Sequence, residues 1–235
     1  MRVWAPLLWA PLLALAGACS SYAGSARDFE PTALAREPGW IAVGGVPLAR
    51  QESEAGCGAA AIAMVVAYWT GADPEGLVAK LGEVPDRGLS AGHLRAFARA
   101  HHLAAFLVEA DLADLQHELA RGRPVLVGLA KRQRRGVLTH YEVVVAVHPR
   151  ARRVVTLDPG RGWRENSFAG FLAEWRPARG LALVVSARQS GRATAAGGGS
   201  TPSWRARVGA TWSIQTGAST TAGSTPGSTT MSGTR

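Results

Sequence analysis

The sequence predicts an α+β domain, and three observations carry that prediction. Helix-like segments come first, short β-branched or leucine-rich runs come afterwards, and turn residues separate them. The chain has 235 residues, 47% hydrophobic and 18% charged, a composition of ordinary globular proteins and not of disordered or collagenous ones. With an apolar N-terminus and a polar C-terminus set aside, roughly 150 residues remain, enough for one sizeable core and too few for two full domains.

The elements follow in order. Ile41 to Leu48 is a short apolar stretch interrupted by Gly44-Gly45, and polar Arg50 to Glu54 comes next. Ala55-Gly56-Cys57-Gly58 then opens into AAAIAMVVAYW, which is apolar all round and free of breakers, as in a helix buried on every side. Cys57 therefore sits at a helix N-terminus. Asp73-Pro74-Glu75 starts a short helix with an N-cap, a proline at N1 and an early acid. Ser90 caps a helix through His101, with Leu94, Phe97 and Ala98 on one face. A strand is expected over Leu103 to Val108 and an amphipathic helix over Asp111 to Ala120. Strands follow over Pro124 to Ala130, Tyr141 to Val147, Arg153 to Leu157 and Leu181 to Val185, with a helix from Phe168 to Trp175 before the last.

Both ends differ from this body. Residues 3 to 18 form an apolar run after one basic residue, too short to span a bilayer comfortably and ending in small residues, as in an export signal. Leu15-Ala16-Gly17-Ala18-Cys19 resembles the lipobox of bacterial lipoproteins, which implies acylation of Cys19 and attachment to a membrane through its fatty chains. Ala16-Gly17-Ala18 also serves as an ordinary secretory cleavage site, so plain export stays open. Ser20 in place of Asp points to the outer membrane, on its periplasmic side, and otherwise to a secreted or periplasmic protein. Beyond Ala187 the composition is dominated by Ser, Thr, Gly, Ala and Arg and cannot bury enough apolar area to order itself. The expected organisation is a signal peptide over 1–18, a tether over 19–40, the folded domain over 41–186 and a disordered tail over 187–235.

The net charge of +9, from 26 Lys+Arg against 17 Asp+Glu, invites a nucleic-acid partner. Much of that excess sits in the tail and at Arg2, and almost all basic residues are arginine, so the body keeps only a solubility-level charge. No nucleic-acid partner, cofactor or metal-ligand cluster is expected, and nothing specifies an oligomeric state.

If Cys19 carries lipid, Cys57 has no disulfide partner, and an unpaired thiol in an exported protein asks for a reason. A thiol nucleophile needs a stabilised thiolate, a base within reach and donors for the developing oxyanion. The helix N-terminus favours the thiolate. Gly56 and Gly58 leave room for a substrate backbone. Gln51, six residues upstream, can turn its amide toward the oxyanion. Among six histidines, His93, His101, His102 and His117 fall on helix surfaces and His148 in a turn. His140 opens the strong strand EVVVAV, where a side chain at the sheet edge can face a cleft. Asp158 closes the next strand, VVTLDPG, and antiparallel pairing through a short turn brings it beside His140 as the orienting carboxylate.

Gln51, then Cys57-Gly58-x-Ala60-x-Ile62-x-Met64-Val65, then His140-Tyr141-x-Val143-Val144-Val145 and Leu157-Asp158-Pro159 resemble the bacteriocin-processing, double-glycine cysteine peptidase family over about residues 46 to 186. The resemblance implies a papain-like fold, with helices packed on an antiparallel sheet. It also implies Cys57 as nucleophile, His140 as base and acid, Asp158 as orienter, and Gln51 with the Cys57 backbone N–H as oxyanion donors. Gly56 departs from the aspartate common in that family, and no GxxxxGK[ST] nucleotide loop is present, so the chain is similar to a free-standing member. The function implied is an exported thiol peptidase acting through an acyl-enzyme on peptide or protein substrates, with cleavage after Gly-Gly in leader-like peptides as the family's habit. A peptide-binding lipoprotein without catalysis, and a thiol amidase or acyltransferase, stay open as alternatives. Gly44-Gly45 further raises self-cleavage after Gly45, although Pro38 interrupts the leader-like segment before it.

Overall fold

The computed structural model describes residues 22–133 and 136–188. The segment expected as an export signal, Cys19 and the residues beyond Arg188 lie outside the described residues. Two short strands, β1 (Arg27–Asp28) and β2 (Ile41–Ala42), flank the four-residue helix α1 (Ala33–Arg36). A 3-10 turn over Glu54–Gly56 leads directly into helix α2 (Cys57–Thr70). Its residues from Cys57 to Ala67 are all buried, as its apolar sequence requires. Gly71 ends it in the left-handed conformation at φ 69°, where a side chain would be strained.

Helix α3 (Pro74–Lys80) begins where Asp73 accepts the Gly76 N–H, and α4 (Ala91–Ala100) where Ser90 accepts the His93 N–H. Strand β3 (Leu103–Glu109) precedes α5 (Leu112–Ala120), which carries a full capping box between Asp111 and Asp114. The strands then dominate: β4 (Val125–Gln133), β5 (Gly136–His148), β6 (Arg153–Asp158) and β7 (Gly162–Ser167). Helix α6 (Phe168–Trp175) and β8 (Leu181–Ala187) complete the chain.

The eight strands form one antiparallel sheet, seven of them in the order β1-β7-β6-β5-β4-β8-β3. The strand β2 fits a vacancy in it. Strand β4 starts at Val125 opposite Val144, so that edge of β5 is open beyond Val144, and Ala42 and Ile41 pair there with Ala146 and Val147. Helix α2 packs against β5, α3 and α4, with Ile62, Met64 and Val65 fully buried. The α+β, antiparallel architecture expected from the sequence is the one observed.

Two parts of the sheet carry no hydropathy signal. Strand β7 reads GWRENS, yet Arg164, Glu165 and Asn166 in it are buried. The segment expected as a tether is pinned along the sheet: β1 pairs with β7, and the Phe29 N–H donates to the Trp163 carbonyl at 3.1 Å. Strand β7 takes part because its charged residues meet partners from this segment and from β6. Arg27 pairs with Glu165 at 2.9 Å, Arg164 with Asp28, and Arg153 with Glu165 at 3.3 Å.

Candidate active site

Cys57 is the first residue of α2, 4% exposed and not in a disulfide. The backbone N–H groups of the first helical turn have no intrahelical acceptor, so they point their partial positive charge at its sulfur. Gly56 before it has ordinary backbone angles, and a Cβ there would only touch Gln51 and Ser53, so no steric demand explains the glycine. Gly58 faces inward. A Cβ there would come within 3.2 Å of the Tyr141 ring and 3.4 Å of Leu94. Its missing side chain thus lets α2 approach β5 in the core, and the expected role in admitting a substrate backbone finds no support at that position.

His140 lies within β5, not at its opening, because β4 and β5 run on together from Leu129↔His140 to Gln133↔Gly136. Val143 pairs with Leu157, which brings Asp158 toward the stretch of β5 that bears His140. The His140 Nε2 is 3.0 Å from Asp158 Oδ1. That oxygen also accepts the Gly160 N–H at 2.7 Å and the Arg161 N–H at 3.3 Å, so the turn after β6 holds the carboxylate in place. Burial opposes a charge on His140, but hydrogen bonds to Asp158 and Cys57, with the charges of Glu142 and Cys57, outweigh it and push its pKa up to about 10. Burial likewise opposes the Asp158 charge. His140, Tyr22 and the Gly160 N–H nonetheless hold this carboxyl well below the ordinary carboxylate range. The three side chains placed together by sequence reasoning therefore meet in space.

Gln51 stands close by. Its backbone N–H donates to the Pro159 carbonyl at 3.1 Å, tying it to the turn after Asp158. Its Nε2 donates to the Ser53 carbonyl at 3.0 Å and its Oε1 is buried without a partner. An amide nitrogen carries two hydrogens, so one remains for an incoming oxyanion.

Sequence reasoning missed the polar group behind this pair. Glu142, two residues after His140 and so on the same face of β5, is 1% exposed, with Oε1 3.9 Å from His140 Nε2. Its Oε2 accepts the Thr156 hydroxyl at 2.6 Å. Lys131 is fully buried and bridges Glu142 at 3.1 Å and Glu174 at 2.6 Å. Tyr22 reaches in from the N-terminal segment and contacts both Glu142 and Asp158. The one available signal was alternation: Lys131, His140 and Glu142 fall on inward positions of paired strands. His140, Glu142 and Asp158 also place one potential metal ligand each within 4.8 Å of one another, a grouping the sequence did not reveal. The Glu142 oxygen in question already faces an ammonium, so charge within the cluster is met by Lys131.

A sheet whose buried imidazole and carboxylate face a thiol at a helix start defines the papain-like class of cysteine peptidases. Residues 45–190 match the model of the Peptidase C39 family, and the chain belongs to that family of cysteine peptidases. Among solved structures, the peptidase domain of Streptococcus ComA, a bi-functional ABC transporter involved in quorum sensing, is 23% identical with a TM-score of 0.51. That alignment covers 61% of this chain and 100% of that domain. A double glycine motif protease from an AMS/PCAT transporter, solved in complex with the leader peptide, is 21% identical with a TM-score of 0.50, over 63% of this chain and 95% of that one. At these identities the likeness is one of fold. No curated protein matches the chain in sequence.

Proposed function

We propose that this cysteine peptidase hydrolyses peptide bonds with Cys57 as nucleophile, His140 as acid and base, Asp158 as orienter, and Gln51 with the Cys57 backbone N–H as oxyanion donors. The observation that carries the reading is the buried His140–Asp158 hydrogen bond of 3.0 Å with Cys57 acting on the same ring. In the resting state the elevated His140 pKa keeps an imidazolium beside the sulfur. The thiolate sulfur bonds to the substrate carbonyl carbon, the carbonyl oxygen becomes the oxyanion, and the collapsing intermediate expels the amine, which takes the imidazolium proton. Acylation abolishes the sulfur's charge and its hydrogen bond, two of the causes that raise the His140 pKa. The neutral imidazole then becomes a competent base: it takes a proton from water, the hydroxide attacks the thioester, and the released thiolate regains an imidazolium neighbour.

The substrate class is peptides or proteins, with cleavage after Gly-Gly as the specific expectation, supported by the solved relative that holds a leader peptide. Self-cleavage after Gly45 in the same molecule is opposed by geometry. The Val43 N–H is bonded to Val145, five residues along β5 from His140 and so roughly 17 Å away. The export-signal-like run over residues 3–18 and the lipobox-like sequence at Cys19 support an enzyme of the cell envelope, anchored by lipid or otherwise periplasmic or secreted. Digestion of a peptide library by the wild type and by Cys57→Ser tests the core of the reading. Cleavage that disappears in the variant is expected. Identical digests would remove Cys57 from the chemistry, and no cleavage by either protein would favour peptide binding without catalysis.

A further inference from the structure

Asp158 is held from two sides, and the second side belongs to a segment that precedes the family match. Its Oδ1 serves His140, Gly160 and Arg161, while its Oδ2 accepts the Tyr22 phenol. Tyr22 arrives on a strap fixed to β7 and α6. The next residue, Ala23, donates its N–H to Glu174 at 2.5 Å and accepts from Asn166 Nδ2 at 2.9 Å. Gly24 follows at φ 75°, where a Cβ would lie 2.6 Å from the Gly170 Cα, so only glycine lets the strap settle on α6. Beyond it, β1 joins the sheet edge at β7.

The phenol ring is clamped by cations: Lys131 Nζ lies 3.2 Å from its centroid, and the Arg161 and Arg164 guanidinium carbons lie at 5.3 Å and 5.1 Å. Its oxygen is also 2.8 Å from Glu142 Oε1. A phenol has one hydrogen and two carboxylates face it, so its destination has to be decided. Both Glu142 oxygens already have donors, Lys131 at 3.1 Å and Thr156 at 2.6 Å. The donors from His140, Gly160 and Arg161 all go to Asp158 Oδ1, so the hydrogen is assigned to Oδ2, and the Lys131 ammonium lets the phenol oxygen rest beside Glu142. Burial first, then the charges of Glu142 and Asp158, raise the Tyr22 pKa far above that of a free phenol, so it stays a donor throughout.

We propose that Tyr22 is a positioning residue of the active site: its phenol O–H, delivered by the N-terminal strap, fixes the outer oxygen of Asp158 and separates it from Glu142. The inner oxygen is thereby aimed at His140. The proposal rests on the peptidase reading of Cys57, His140 and Asp158, and it makes the N-terminal segment part of the catalytic apparatus.

The test uses the full chain as wild type, Tyr22→Phe and Cys57→Ala. Phenylalanine keeps the ring among its cations and removes only the hydroxyl. Peptide cleavage by Tyr22→Phe is expected to show a kcat about tenfold to a hundredfold lower, with KM within about twofold. The deciding readout is the pH dependence of Cys57 alkylation by iodoacetamide, which needs no substrate. The charged groups around Asp158 and Tyr22 are His140 and Glu142 from β5, Lys131 from β4, Glu174 from α6, Arg164 from β7, Arg161 from the β6–β7 turn and Cys57 from α2, all retained in the variant. Without the phenol hydrogen Asp158 takes up a proton at higher pH, the imidazolium is held less firmly, and the acid limb of alkylation moves upward. Superimposable alkylation profiles overturn the proposal, whatever happens to kcat. Cleavage that persists in Cys57→Ala would instead defeat the peptidase reading, and the alkylation comparison would still decide the role of Tyr22.

Discussion

At the scale of single residues, the proposed chemistry turns on a charge on His140 that burial opposes. Three nearby acids, the thiol of Cys57 and the carboxyls of Asp158 and Glu142, hold the proton there. His140→Ala should therefore slow alkylation of Cys57 near neutral pH by at least about tenfold, and equal rates in both proteins would remove the ion pair from the account. Asp158 makes a second measurable claim. Its folded pKa is depressed below the ordinary 3.8, so its contribution to stability is present above that pH and is lost as pH falls through the folded value. Urea midpoints between pH 5 and pH 2 should fall more steeply for the wild type than for Asp158→Asn. Cys57 and Asp158 were legible in the sequence because each stands at an element boundary, and His140 because it heads a strongly apolar run, although it lies inside β5. Tyr22 was not, since it lies 136 residues from the carboxylate it serves and belongs to no pattern. Lys131 and Glu174, 43 residues apart, were invisible for the same reason: a buried charge is tolerated only through its partner, and partners of that kind are chosen by the fold.

At the scale of elements, helices α3, α4 and α5 were foreseen closely because their caps are local, whereas the short α1 fell in the segment expected as a tether. Asp73, Ser90 and Asp111 each accept a backbone N–H within three residues. Asp111→Ala should lower stability by about 1 kcal/mol, measurable as a smaller urea midpoint at constant slope. Strands with apolar runs were equally visible. Strand β7 and the pairing of β1 were not, because GWRENS buries its polar side chains against Arg27, Asp28 and Arg153 in place of an apolar face. The strap is the element whose removal tests the site. At Gly170 a Cβ would meet both the Asn166 side chain, which holds the strap, and the Ala23 carbonyl oxygen at 2.6 Å. Gly170→Val should lift the strap, exposing residues 22–28 to proteolysis, and should lower kcat as expected for Tyr22→Phe. A fully protected strap in that variant would show that the close approach is dispensable.

At the scale of the whole molecule, the position of the strap would couple the active site to the proposed lipid anchor. Among the described residues no helix is long and apolar enough to cross a membrane. Tyr22 is three residues after Cys19, and three extended residues reach at most about 11 Å, so an acyl chain on Cys19 would hold the Asp158 flank of the domain close to the lipid surface. Labelling cells with palmitate should mark the wild type and not Cys19→Ser, with the variant lost from the membrane fraction. Label in neither protein would leave plain export as the reading of that segment.

The amino-acid order alone determined the α+β class, the caps, the buried helix that opens at Cys57 and the family, because these depend on short-range periodicity and on motifs a few residues long. Only the tertiary structure decided that Gly58 serves the core and that the N-terminal segment returns to the sheet. It also decided that a tyrosine, a lysine and two further acids stand behind Asp158. Those outcomes depend on which desolvated charges find one another across the fold, a matter of position in space that no local stretch of sequence records.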